Sequence, residues 1–114
     1  MKNIQTMTFN DYQQATRKTA IYPQDMKVVY PTIGLAGETG EVAEKVKKTI
    51  RDKQGNFDPD TTRELAKELG DVLWYIANIA SDLGLDLDEV AQMNVDKIHS
   101  RQARNLLHGQ GDNR

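Results

Sequence analysis

The stretch "RELAKELGDVLWYIANIASDLG", residues 63–84, decides the fold of this chain. Its apolar residues recur every three or four positions, so at about 100° per residue they line one side of a helix. Asp60 can cap this helix, and Gly84 can end it just after Leu83. The stripe consists of Leu65, Leu69, Val72, Ile76, Ile79 and Leu83. A helix with one apolar face must pack that face against other elements.

Three further helices are predicted. Thr8, followed three residues later by Asp11, resembles an N-cap with an acidic first turn, and opens a short helix through about residue 18. A second helix begins near residues 28–31 and runs to about residue 51. A fourth begins at Asp86 or Asp88 and runs to about residue 107, before Gly109. Because no segment alternates β-branched and polar residues, the predicted fold class is all-α, a protomer similar to a four-helix bundle.

Length and composition limit the kinds of protein this chain can be. Its 114 residues suit one domain, 1–114, with frayed ends expected at 1–7 and 109–114. The formal charge of -2 gives no general attraction to nucleic acid or to an anionic membrane, and the chain has no cysteine for a disulfide or a thiolate metal site. No apolar run is long enough to cross a bilayer or to form a signal peptide. We therefore expect a cytoplasmic protein.

A second stretch, "GLAGETGEVAEK" (residues 34–45), carries two carboxylates beside another apolar stripe. With Leu35 set at zero, Glu38 falls at about 300° and Glu41 at about 240° around the helix. Gly34 falls on the same side, at about 260°. This glycine either permits close helix packing or leaves room for metal-bound water and substrate.

The third helix repeats this arrangement. With Leu65 at zero, Glu68 falls at about 300° and Asp71 at about 240°. If the two apolar stripes pack in an antiparallel hairpin, all four carboxylates can converge at one seam. An acidic pair more often solvates an exposed face, but two pairs with equal spacing and equal offset favour a shared site. Since His99 and His108 are remote in sequence, the oxygen ligands favour Mg²⁺, or Mn²⁺ in its place, over zinc.

These residues resemble a known family. "GETGEVAEK" followed by "KELGDVLWYI" is similar to the MazG-like nucleotide pyrophosphohydrolases, all-α NTP pyrophosphatases related to dimeric dUTPases. The similarity covers roughly residues 30–104. The family's E-x-x-E and E-x-x-D signature falls on the implied metal ligands, Glu38, Glu41, Glu68 and Asp71. The resemblance implies Mg²⁺-dependent cleavage of a nucleoside triphosphate to monophosphate and pyrophosphate, a house-cleaning role, and a homodimer or dimer of dimers joined through its helices.

The fourth helix carries a basic stripe. With Val90 at zero, Asn94, Lys97, Arg101 and Arg104 fall within about 40° of one line. In the family a lysine and an arginine four residues later bind the phosphates, and Lys97 and Arg101 match them. Asn94 resembles a nucleotide-contacting asparagine. The alternative is a solvated basic face near the negative end of the helix dipole.

Aromatic residues supply candidates for base binding. Tyr75 falls at about 280° on the third helix, one turn from Asp71, where it can stack on a base or lie at the edge of the core. Trp74 falls near 180°, opposite the apolar stripe, and is predicted to meet another subunit. The sequence does not indicate which of the remaining tyrosines, Tyr12, Tyr22 or Tyr30, lines the base pocket.

The mechanism expected from this site is in-line attack of an activated water on the α-phosphorus, with pyrophosphate leaving. Glu38 or Glu41 is expected to orient or deprotonate that water. Two alternatives stay open. One is a non-catalytic, dimeric regulatory module, disfavoured because all four acids are present. The other is a pyrophosphohydrolase of phosphoribosyl-ATP or of an alarmone. Base and sugar preference cannot be read from the sequence.

Overall fold

The computed structural model describes residues 6–114. In this range the chain forms four α-helices and no strand, which confirms the all-α fold class. Two short 3₁₀ turns, Arg17–Thr19 and Gln24–Met26, lie between the first two helices. The helices are α1 (Phe9–Thr16), α2 (Val29–Lys53), α3 (Pro59–Asp82) and α4 (Leu87–Ala103). The expectation of fraying at residues 1–5 lies outside the described part of the chain.

The start of α1 follows from a capping box, as the sequence predicted. Thr8 Oγ1 accepts a hydrogen bond from the backbone N–H of Asp11 at 3.0 Å, and Asp11 Oδ2 accepts one from the N–H of Thr8 at 3.1 Å. The two bonds satisfy donors that a helix start otherwise leaves free. The α-helix ends at Thr16, and the chain tightens into the first 3₁₀ turn.

The cap of α3 is Asp58 and not Asp60, two residues earlier than predicted. Asp58 Oδ1 accepts a hydrogen bond from the N–H of Thr61 at 2.8 Å. Pro59 then occupies the first helical position, where its fixed φ and missing N–H are favourable. The hydrogen bonds hold the pKa of Asp58 down at about 2.

Helices α2 and α3 form an antiparallel hairpin. Near the turn Lys53 Nζ donates to Thr61 Oγ1 at 2.8 Å, and further along Lys45 Nζ lies 3.8 Å from Glu68 Oε1. Since the two helices run in opposite directions, this register places the first half of α2 beside the second half of α3. The acidic motifs of the two helices therefore lie at neighbouring levels of the hairpin.

Helix α4 ends at Ala103, before the predicted end near residue 107. Asn105 adopts a left-handed backbone with φ 60°. The N–H of Leu106 donates to the carbonyl of Arg101 at 2.7 Å, and the N–H of Asn105 donates to that of Gln102 at 3.1 Å. This is a Schellman closure, in which asparagine replaces the more usual glycine. The prediction that Gly109 ends the helix was wrong.

The protomer is open, and its core is small. Among the described residues the buried hydrophobic ones are Ala77, Ala80 and Leu87. Leu69 and Leu83 of the predicted core stripe remain 56% and 55% exposed. The radius of gyration is 17.1 Å, whereas a compact chain of this length would have roughly 13 Å. Within residues 6–114, no helix combines the length and the apolar character that crossing a bilayer requires.

Candidate metal and nucleotide site

Three carboxylates meet at the seam between α2 and α3. Glu38 reaches from α2, and Glu68 and Asp71 reach from neighbouring turns of α3. Each offers a carboxylate oxygen, and these oxygens lie within 4.8 Å of one another. Glu38 and Glu68 are half-buried, and Asp71 is exposed. The predicted convergence of the two acidic motifs is therefore present for three of the four acids.

The three carboxylates concentrate negative charge at the seam. The pKa of Glu38 is raised above its ordinary value, first by partial burial and then by the carboxylates of Glu68, Asp71 and Glu41. Lys45, 3.8 Å from Glu68, gives partial compensation. A set of carboxylate oxygens at such spacing suits a hard divalent cation, since Mg²⁺ and Mn²⁺ prefer oxygen ligands.

Glu41 lies outside this group of three. It is exposed on α2, close enough for its charge to raise the pKa of Glu38. On the helix it follows Glu38 by three residues, which is nearly one turn. The structure thus places Glu41 at the rim of the acidic group.

Gly34 makes room for an aromatic ring. A Cβ built on Gly34 would overlap the ring of Tyr75, which lies directly against the α2 backbone. The pKa of the Tyr75 hydroxyl is raised by burial and then by Tyr30, Glu38 and Asp71, so Tyr75 lies beside the acidic group as the sequence suggested. Of the two interpretations of Gly34, the structure agrees with close packing, because Tyr75 fills the space that was expected to hold metal-bound water or substrate.

A cavity of about 320 Å³ opens beside the acids. Trp74 is half-buried within the protomer, where its Nε1 donates to Thr19 Oγ1 at 3.0 Å and its ring forms part of the wall. Its contact with another subunit stays a prediction. The helical periodicity did not show that the α1–α2 connection crosses this face of α3. The lining residues are Thr19, Glu38, Asp71, Trp74 and Tyr75.

A second cavity, of about 280 Å³, adjoins the first and shares Thr19, Trp74 and Tyr75 with it. Tyr22 and Tyr30 lie on its other side, with their rings stacked at 5.0 Å between centroids and 16° between planes. Two of the three undecided tyrosines therefore reach this region.

Tyr12, the third, lines neither cavity, although burial and then the carboxylate of Asp71 raise the pKa of its hydroxyl. It packs against the small core, and its hydroxyl donates to the carbonyl of Gly70 at 3.5 Å.

Lys97 and Arg101 contact the C-terminal segment of the chain. Lys97 Nζ lies 3.1 Å from Asp112 Oδ1, and Arg101 Nη2 lies 3.4 Å from the same oxygen. Arg101 Nη2 also donates to the carbonyls of Asp112 and Gly111 at 2.8 and 3.2 Å. Lys97, and then Arg101, hold the pKa of Asp112 below its ordinary value. Residues 109–114, expected to fray, thus fold back onto α4.

Two polar groups of α4, the Asn94 side chain and the Arg101 Nε, have no hydrogen-bond partner in the described part of the chain. Asn94 is exposed, and in the part of the chain that the structure describes it makes no side-chain hydrogen bond. Arg101 is buried, and its Nε has no hydrogen-bond partner there. Within the same residues no hydrogen bond or ion pair joins Lys97 or Arg101 to the acidic group.

Sequence reasoning missed a polar network at the end of α3. Asn78 is fully buried, and the side chain of Asp82 is 0% exposed. Both contact Arg17. Their spacing from Trp74, four residues and then four more, puts all three on one helix face. Two polar residues within an otherwise apolar stretch were the signal that could have revealed this network.

The fold and the site place this chain among all-α proteins in which carboxylates from two antiparallel helices meet beside an aromatic cavity. Comparison with known families specifies the class further. Residues 32–105 match the MazG nucleotide pyrophosphohydrolase domain, and the chain belongs to this family. It is also similar to the Gene 37 protein of Mycobacterium phage L5, with 46% identity over 109 residues that cover 90% of this chain and 96% of that protein. No solved structure gave a significant match.

Proposed function

We propose that this protein is a Mg²⁺-dependent nucleoside triphosphate pyrophosphohydrolase that cleaves ribo- or deoxyribonucleoside triphosphates to the monophosphate and pyrophosphate, with a house-cleaning role in the nucleotide pool. One observation carries the proposal. The three converging carboxylates of Glu38, Glu68 and Asp71 lie beside an aromatic cavity in a chain of the MazG family. Mn²⁺ would fit the same oxygen ligands.

The donor set supports a divalent metal. All the ligand atoms are carboxylate oxygens, and the pKa of Glu38 is raised by partial burial and then by the neighbouring carboxylates of Glu68, Asp71 and Glu41. Glu38, Glu68 and Asp71 would hold the metal, and Glu41 would complete the set from the rim. When bound, the metal would neutralise phosphate charge and make water more acidic.

The residues of this chain have separable roles in the proposed reaction. Glu41 orients a water and takes its proton, because it is exposed and stands outside the group of three that would hold the metal. The water oxygen bonds to the α-phosphorus as the bond to the α–β bridging oxygen breaks. Pyrophosphate leaves with that bridging oxygen.

The phosphates of the substrate would be bound by Lys97 and Arg101. Support comes from the way these two cations already converge on one carboxylate oxygen, that of Asp112, so an anion can bind between them. Asn94 would contact the nucleotide from the same face of α4. These contacts require the C-terminal segment to leave Lys97 and Arg101 when substrate binds.

The nucleobase would enter the aromatic cavity. Tyr75 and Trp74 form one side, with ring centroids 5.0 Å apart and an edge-to-face angle of 84°. Aromatic faces bind bases by stacking, and the neighbouring acids place the triphosphate end of the substrate. A homodimer or a dimer of dimers would bury the apolar surface that the open protomer exposes.

The function is tested by following pyrophosphate and orthophosphate separately over a panel of canonical and modified nucleoside triphosphates, phosphoribosyl-ATP and an alarmone. We expect pyrophosphate release in Mg²⁺ and none in a chelator. Asp71→Asn and Glu68→Gln should each lower kcat/KM by about 100-fold or more, since a metal contributes several kcal/mol to the transition state.

The matched control is Glu44→Gln, the same change on α2 at a carboxylate that pairs with Lys47 and Lys48 instead of the acidic group. It should retain near-normal activity. Turnover that persists in chelator, or orthophosphate as the sole product, would refute the proposal.

A further inference from the structure

The strongest unassigned feature is the buried carboxylate of Asp82, the last residue of α3. Its Oδ2 accepts hydrogen bonds from the Tyr22 hydroxyl at 2.6 Å and from the backbone N–H of Val28 at 3.0 Å. Its Oδ1 lies 3.2 Å from Arg17 Nη1. Burial alone would raise the pKa of Asp82, but the hydrogen bonds from Tyr22, Val28 and Arg17 outweigh it and lower the pKa. A fully buried carboxylate is stable only when its oxygens are satisfied in this way.

This carboxylate anchors residues 20–28, which connect α1 to α2. In the part of the chain that the structure describes, both hydrogen bonds that join these residues to α3 end on Asp82. The remaining backbone bonds of the connection are local, such as that from the N–H of Met26 to the carbonyl of Pro23 at 3.0 Å. Ile21 is 90% exposed. Among the described residues, Asp82 is therefore the side chain of α3 that hydrogen-bonds to the connection, alongside the stacking of Tyr22 on Tyr30.

The backbone at the anchor is strained. Val28 has φ 65° and ψ -50°, a conformation that β-branched residues rarely adopt. The N–H of Val29 donates to the carbonyl of Lys27 at 2.6 Å, which closes a γ-turn of the strained kind. Such strain persists where surrounding contacts enforce it, and it concentrates near functional sites. Here the N–H of the strained residue, Val28, is bound to Asp82.

The anchored connection forms one wall of the second cavity, which adjoins the cavity beside the acids. Tyr22 stacks on Tyr30, and both line the cavity opposite Trp74 and Tyr75. Asp82 itself is eleven residues beyond Asp71 on α3, or about 16 Å along the helix. It is too far away to touch a metal or a phosphate bound by the acidic group, so any effect on the substrate must pass through the connection.

We propose that Asp82 is a positioning residue for nucleotide binding, which fixes Tyr22 and the α1–α2 connection as the outer wall of a stacking pocket for the nucleobase. This inference rests on the proposed function. The Tyr22 hydroxyl is bound to Asp82, and Thr19 Oγ1 accepts from Trp74, so both polar groups are engaged within the protein. The wall therefore offers ring faces more than free donors, which suits stacking on many bases.

The test compares Asp82→Asn with Asp60→Asn, a matched change on the same helix at a carboxylate that is 86% exposed. Tyr22→Phe is the second variant, because it removes the hydroxyl held by Asp82 and keeps the ring. Each is assayed in Mg²⁺ with the best nucleoside triphosphate and with methyl triphosphate, which has no base. Melting temperature and oligomeric state are recorded for every variant.

For Asp82→Asn we expect KM for the nucleotide to rise about tenfold with kcat within twofold, and kcat/KM for methyl triphosphate to stay unchanged. Tyr22→Phe should raise KM about threefold, and Asp60→Asn should match the unmodified protein. A purely structural role would instead lower kcat on both substrates together. That result, or nucleotide kinetics equal to those of Asp60→Asn in both variants, would overturn the inference.

Fluorescence separates this inference from the proposed reaction. The chain has one tryptophan, Trp74, and it lies in the cavity wall. Titration with a non-hydrolysable nucleoside triphosphate should change its emission, with about tenfold weaker binding in Asp82→Asn.

If the unmodified protein binds the nucleotide but does not hydrolyse it, the proposed reaction fails and the proposed pocket stands. If it turns over and Asp82→Asn binds equally well, the inference fails alone. If it neither binds nor turns over, both fail.

Discussion

Gly34 shows how one missing side chain shapes the site. The ring of Tyr75 occupies the volume where a Cβ would be, and this brings Tyr75 against α2 beside Glu38. Gly37 and Gly40 lie on the same helix, but a Cβ at either position would meet no atom within 4 Å. Three glycines that look alike in the sequence thus have different consequences, and only Gly34 is required by a close approach.

Gly34→Ala should therefore damage nucleotide binding while favouring the helix itself. Alanine stabilises a helix interior by up to about 1 kcal/mol relative to glycine, but the new methyl group would displace Tyr75 from the cavity wall. We expect KM for the nucleotide to rise about tenfold in steady-state assays. Gly37→Ala is the control and should raise the melting temperature without changing KM. Unchanged KM in Gly34→Ala would show that the position of Tyr75 does not matter for binding.

At the scale of elements, the helices and the convergence of the acids could be predicted, because both follow from periodicity. Glu38 and Asp71 border apolar stripes at known offsets, so an antiparallel hairpin has to bring them together. Periodicity says nothing about a connection that crosses a helix face, and this is why the contact between Trp74 and Thr19 was missed. It also cannot identify a left-handed terminator such as Asn105, whose αL conformation shortened α4.

The C-terminal segment, residues 109–114, contacts helix α4. Asp112 is 82% exposed, and it draws the segment onto Lys97 and Arg101 through ion pairs that water and salt weaken. A triphosphate carries several negative charges and can bind both cations at once. The proposed phosphate role of Lys97 and Arg101 thus makes Asp112 a weak competitor of the substrate.

Asp112→Asn should lower KM for the nucleotide by up to about threefold at low salt, since an exposed pair of this kind has a small effect. The difference from the unmodified protein should shrink at 0.5 M salt, where exposed ion pairs are screened. Steady-state kinetics at two salt concentrations measure both effects, with Asp96→Asn on α4 as a control. A higher KM in Asp112→Asn would indicate that the segment assists substrate binding.

The whole molecule exposes more surface than a compact protein of its mass. Its accessible surface is 8700 Å², whereas a folded monomer of this size would expose roughly 6300 Å². The surplus exceeds the roughly 800 Å² that each partner buries in a standard interface. Part of the excess is an open apolar concavity of about 240 Å³ near the start of α4. Its lining residues include Leu35, Ile79, Leu83, Leu85 and Val90.

If two copies of the chain meet at this concavity, a charged side chain introduced there should disrupt the oligomer. Leu83, 55% exposed and part of its lining, can accept a glutamate in an isolated protomer, but a carboxylate buried against a second copy would be unpaired. Leu83→Glu should therefore shift the mass measured by light scattering from a dimer or tetramer toward the monomer, and lower kcat/KM by more than tenfold at submicromolar protein. Thr62→Glu, an exposed position in the first turn of α3, is the control and should keep both mass and activity. A monomeric unmodified protein with full activity would refute the proposed oligomer, because the open protomer would then suffice for catalysis.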